Sequence, residues 1–140
     1  MPTDLSLPVR KAIVAHLRAA TGVTNLVPSA RIFPEFRHDQ ADGTWPFIRM
    51  GHADATPFEA TGWNGSEQDF DVHVFARGPG TDDVLTISAA VIEAMKSFAP
   101  GSIDGAWADW LRTIVLPDEK PEELHARVTF HVVAYEIEDI

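Results

Sequence analysis

The chain has no cysteine. That excludes disulfide staples, thiolate nucleophiles and cysteine-held metal centres, and it is compatible with a reducing compartment. No apolar run approaches the roughly 18 residues that a helical membrane span requires. The N-terminus, Met1-Pro2-Thr3-Asp4, has no basic stretch leading into an apolar one, so no secretory leader is expected. The chain therefore reads as soluble, with no membrane partner. Basic side chains are scarce: 11 Lys and Arg stand against 21 Asp and Glu, a net charge of −10. An acidic surface repels the phosphate backbone, which argues against DNA binding by charge neutralisation.

What is present is an ordinary globular composition. With 140 residues and 45% hydrophobic content, the chain reads as one domain over residues 1–140. That length buries roughly two thirds of the unfolded surface without staples. The charge is unevenly spread. Residues 1–37 carry five basic and two acidic side chains, a balance of +3, and residues 38–140 carry six and nineteen, a balance of −13. Such asymmetry permits a basic face on one copy to meet an acidic face on another.

The periodicity predicts a first helix over Ser6–Ala20, with Ser6 as cap and Gly22 as stop. Val9, Ala12, Ile13, His16, Leu17 and Ala20 form its apolar stripe. Arg31-Ile32-Phe33 reads as a brief strand, residues 37–44 as a polar loop, and Trp45–His52 as a strand. Ala53–Ser66 reads as a long connection whose Asn64-Gly65 step favours a tight turn, and hence as a projecting hairpin arm carrying Phe58 and Trp63. Glu67–Arg77 alternates cleanly. Phe70, Val72, Val74 and Ala76 face one side, and Asp69, Asp71, His73 and Phe75 the other. After Gly78-Pro79-Gly80, Thr81 caps a second helix that runs to about Phe98, with Val84, Leu85, Ser88, Val91, Ile92 and Met95 as its stripe. Trp107–Leu116 and Ala126–Ile137 read as the last two strands. The expected fold is α+β: a mostly antiparallel sheet of about four to five strands, with two main helices packed on one face.

No spacing among these residues makes a catalytic centre. The six histidines form neither H-x-x-H nor H-E-x-x-H, so no metal site is expected and they read as half-buried or surface residues. Ser66, Ser88, Ser97 and Ser102 sit in no nucleophile elbow. The glycines form no phosphate cradle, and no cofactor is implied. Asp69 and Asp71 share a strand face, which suits either an acid–base pair or simply a solvated surface. Trp107 and Trp110 suit an interface anchor or core packing equally. Phe58 and Trp63, as aromatics on an exposed arm, favour an interface.

In order, several segments resemble the tail terminator (tail completion) family of long-tailed bacteriophages and gene transfer agents. They are Leu7-Pro-Val-Arg-Lys-Ala-Ile-Val-Ala-His-Leu17, Ala30-Arg-Ile-Phe33, Trp45-Pro-Phe-Ile-Arg-Met-Gly51 and the connection around Gly62–Gly65. Asp69-Phe-Asp-Val-His-Val-Phe-Ala76, the Val84–Met95 helix and the Arg127–Glu136 strand complete the set. The signal lies in the ordered set and in no single motif. The resemblance implies a non-enzymatic protein that forms a homohexameric ring. Such a ring caps the tail tube, ends its polymerisation and joins the tail to the head connector, with DNA passing through the lumen without specific binding. It also implies a place in a virion or phage-like particle assembled in the bacterial cytoplasm. Phe58, Trp63, Trp107 and Trp110 become candidate contacts with a neighbouring subunit or the tube. Asp118, Glu119, Glu122 and Glu123 become candidates for an acidic lumen. The alternatives are a head–tail joining (neck) protein of the same kind of particle, or a small ligand-binding α+β domain using Asp69, Asp71, His73 and His131.

Overall fold

Helix α1 spans Ser6–Ala19 and buries Val9, Ile13, Val14 and Leu17. The computed structural model that places it describes residues 4–34, 45–60, 62–77, 81–117 and 123–137. The expected stripe holds for Val9, Ile13 and Leu17, with Ala12 and Ala20 packed against it; Val14 joins it from the next turn. Ser6 is not the cap. It is the first helical residue, and Asp4 Oδ1 instead accepts hydrogen bonds from Ser6 N at 2.9 Å and Ser6 Oγ at 2.5 Å. Those two bonds hold the Asp4 carboxyl below the ordinary carboxylate range. Gly22 does not stop the helix either, since it lies inside a separate short turn, α2, Thr21–Thr24.

A 3₁₀ turn, Ser29–Arg31, leads into β1, Ile32–Phe33. The remaining elements are β2, Phe47–Ala60; β3, Trp63–Arg77; α3, Asp82–Met95; β4, Gly105–Pro117; and β5, Glu123–Ile137. They build one five-stranded sheet in the order β1-β2-β3-β5-β4. The β1–β2 pairing is parallel and the others are antiparallel. The α+β class with two main helices matches the sequence pattern.

The chief departure lies in β2 and β3. No projecting arm with an Asn64-Gly65 turn exists. The ladder continues to the pair Ala60–Trp63, which leaves only residues 61 and 62 between the strands. Gly62, at φ 79°, supplies the left-handed backbone that such a tight connection needs. Asn64 and Gly65 are ordinary ladder residues of β3. At Gly65 the backbone of β5 comes so close that a Cβ would land on the Ala134 carbonyl oxygen, the close approach that glycine in a strand permits.

One face of the sheet is the core. Phe70 and Phe130 are register partners on the two central strands, and both are essentially fully buried. Around them pack Val72, Val74, Val128 and Val132 from the sheet, Ile13 and Leu17 from α1, and Val91 and Met95 from α3. In α3 the expected stripe holds for Val84, Ser88, Val91 and Met95. Leu85, at 44% exposure, faces solvent and Ile87 takes its place. Thr81 precedes α3 but makes no side-chain cap bond. Ser88 Oγ is satisfied in mid-helix by the Val84 carbonyl at 2.7 Å. The helices are also pinned by polar contacts. Leu5 N donates to Ser66 Oγ on β3, the His16 ring meets Ala94 O at 2.6 Å, and Arg18 donates through Nε and Nη2 to Ile32 O.

Candidate assembly surface

The helices cover one side of the sheet, so the other is left to solvent. Strand alternation assigns its residues. From β3 come Trp63, Gly65, Glu67, Asp69, Asp71, His73 and Phe75, and their register partners on β5 are Ile137, Tyr135, Val133, His131, Thr129, Arg127 and His125. This face divides along the strands into three zones.

At the end nearest β1, flat rings and cations are interleaved. Phe47 and Phe75 stack at 4.6 Å, and Phe75 stacks on His125 at 4.2 Å. The guanidinium of Arg49 lies over Phe75 at 5.3 Å, and that of Arg77 over Trp45 at 4.9 Å. His73 Nδ1 meets His125 Nε2 at 2.5 Å. Burial, then the charges of Arg49, His125 and Arg127, push His73 down to about 3, so its ring stays neutral. That ring lies over Gly51, where a Cβ would collide with it.

The centre is acidic. Asp54 stands opposite Asp69, and Asp109 opposite His131. Asp69 pairs with His131 at 2.9 Å, and Asp71 accepts from Thr129 Oγ1 at 2.8 Å.

The far end is an aromatic platform. Tyr135 stands between Gly65 and Gly105 in the ladder. Its ring lies flat on Gly105, filling the space a Cβ would take. Trp63 stacks on Tyr135 at 4.6 Å and 11°. Trp107 meets Tyr135 edge-on at 6.2 Å, and Phe58 reaches both Trp107 and Tyr135 at 6.4 Å. Trp63 and Trp107 remain 40% and 42% exposed. Beside this end Asp104 Oδ2 accepts from Ile137 N, and the Glu136 carboxyl is pushed up by burial and then by Asp104.

The structure thus brings Phe58, Trp63 and Trp107 together, on strands and not on an arm. Trp110 stands apart. It pairs with the core residue Phe130, which puts it on the opposite face from Trp107, and its indole N–H donates to Thr113 Oγ1. The edge strand β4 is rich in exposed apolar side chains: Trp107, Trp110, Leu111 and Leu116 are all exposed there. Tyr135 was missed in the sequence because its role depends on facing glycines from two other strands, which only the register reveals. The acidic candidates Asp118, Glu119 and Glu122 lie outside the described residues; of Glu123 only the backbone, opening β5, is described.

Nothing here gathers Asp69, Asp71, His73 and His131 around a pocket. Asp69 and His131 pair with each other, Asp71 with Thr129 and His73 with His125. Two clefts are lined by other residues. One, of about 490 Å³, is lined by Leu26, Trp45, Ala76, Arg77 and Thr86 among others; one of about 340 Å³ lies between α1 and the segment that follows α3, lined by His16, Phe98 and Pro100 among others. None of the four lines either cleft. Among the described residues no three His, Asp or Glu side chains are grouped to hold a metal ion.

A chain in the virion of a native gene transfer agent particle has the same fold, with a TM-score of 0.72 and 18% identity over 91% of this chain and 94% of that one. The comparison with curated proteins gave no match. The family model described as tail completion protein gp17 matches residues 11–135, nearly the whole of the chain from α1 to the end of β5, and the chain therefore belongs to the gp17 tail completion protein family.

Proposed function

We propose that this protein is a structural component of a phage-like tail. In this reading copies join into a hexameric ring that caps the finished tail tube, ends its polymerisation and meets the head connector. The observation that carries the reading is the family match over residues 11–135. Its physical support is the surface. The broad sheet face holds aromatic and charged zones, and the exposed apolar edge β4 is a feature that lone soluble domains usually avoid. Ring closure needs a heterologous contact between two different patches. The segment balances of +3 and −13 supply patches of opposite sign. In this reading the carboxylates of Asp118, Glu119, Glu122 and Glu123 are the candidates for the lumen, where like charge would let DNA slide without adhering.

Particles produced without this protein test the role. Heads and tail tubes are expected to form, with the tubes overlong and unjoined to heads. Tails of normal length on normal heads would overturn the role.

A further inference from the structure

We propose that the platform of Phe58, Trp63, Trp107 and Tyr135 receives the solvent face of α1 from a second copy of this chain. The inference rests on the ring reading and names the two patches that would meet.

Helix α1 contains no acidic residue. Its exposed positions include Leu7, Lys11, Ala15 and Arg18, which recur at three- and four-residue spacing and so share one stripe. Leu7 is 61% exposed, an apolar side chain at the start of an otherwise cationic face. The platform is its complement. It presents exposed rings, and Glu67 and Asp109 stand next to it on the same sheet face. A lysine arriving over electron-rich rings, with carboxylates beside them, gains both cation–π and ionic attraction. The apolar Leu7 finds aromatic surface.

Geometry fits a head-to-tail contact. Leu5 N bonds Ser66 Oγ on β3 at 3.1 Å. Ser66 is next to Gly65, the ladder partner of Tyr135. The start of α1 therefore lies over the same end of the sheet as the platform, but on the opposite side. Each copy then carries a basic–apolar patch on one side and an acidic–aromatic patch on the other, at matching height. Two different patches make a heterologous contact, which closes into a ring of identical subunits where each copy is turned by a fixed fraction of a circle relative to the last.

The absence of native cysteine makes a clean cross-linking test possible. Full-length chains carrying Lys11→Cys, Asp109→Cys or both would be treated with a short bismaleimide, in purified particles and as concentrated protein. A mixture of the two single variants is expected to give a cross-linked dimer, and the double variant a ladder of multimers, while each single variant alone gives none. Dimers from Lys11→Cys alone would overturn the contact, as would no ladder from protein assembled in particles. A protein absent from particles and monomeric at every concentration would instead overturn the ring reading, and the contact with it. As a second readout, Lys11→Glu is expected to lower incorporation into particles about tenfold, with recovery on adding Asp109→Lys. Incorporation unchanged by Lys11→Glu, or no recovery in the double variant, would count against the pairing.

Discussion

Gln68 is a buried polar side chain left without partners. It is 1% exposed, and neither Nε2 nor Oε1 has a hydrogen-bond partner. A buried amide without partners costs about 1–3 kcal/mol. Gln68→Leu is therefore expected to stabilise the protein by about 1–2 kcal/mol, read as a raised denaturant midpoint with unchanged slope. Phe130 is the opposite case, a large ring fully buried against the core. Phe130→Ala is expected to cost about 3–5 kcal/mol. His73 links stability to pH. Its folded pKa is about 3 against an ordinary 6.5, so between those values the unfolded chain binds more protons than the folded one. Its contribution to stability is complete above pH 6.5 and is lost as pH falls towards 3. Melting temperatures of the wild type are expected to fall more steeply through this window than those of His73→Gln. Parallel profiles would contradict the linkage.

At the scale of elements, the sequence was most legible where one periodicity ran without interruption. The alternation of Glu67–Arg77 assigned Phe70, Val72, Val74 and Ala76 to the core, and all four are buried. It also placed Asp69, Asp71 and His73 on the other face. The stripe of α1 was nearly complete. The reading failed at the turn between β2 and β3. Asn64-Gly65 is a strong local hairpin signal, but the ladder runs on to the pair Ala60–Trp63, with Gly62 at positive φ between the strands. Local propensity lost to the long ladder between β2 and β3, whose register sets which side chains face the core. The candidate surface was half legible. Phe58, Trp63 and Trp107 stood out as aromatics, yet Tyr135 unites them and Trp110 leaves them, both consequences of register and of strand parity. That dependence gives a test of β4 against β5. Gly105→Ala is expected to destabilise by about 1–3 kcal/mol, because the new methyl meets the Tyr135 ring. Much of that cost should vanish in a Tyr135→Ala background, a coupling that a double-mutant cycle measures.

At the scale of the whole molecule, the protein is a sheet with one finished face and one unfinished one. Helices α1 and α3 seal the first around Phe70 and Phe130. The second carries rings, cations and carboxylates across four strands, and it ends at an apolar edge. Such a molecule is suited to contact with other surfaces, and membership of the tail completion family gives those contacts a setting. The most direct measurement is a cryo-electron microscopy reconstruction of the particle that carries this protein. The account expects six copies in a closed ring at the head-proximal end of the tail tube, with the platform of each subunit turned to α1 of the next. Density for the protein as a lone subunit away from the tube end, or its absence from the particle, would contradict it.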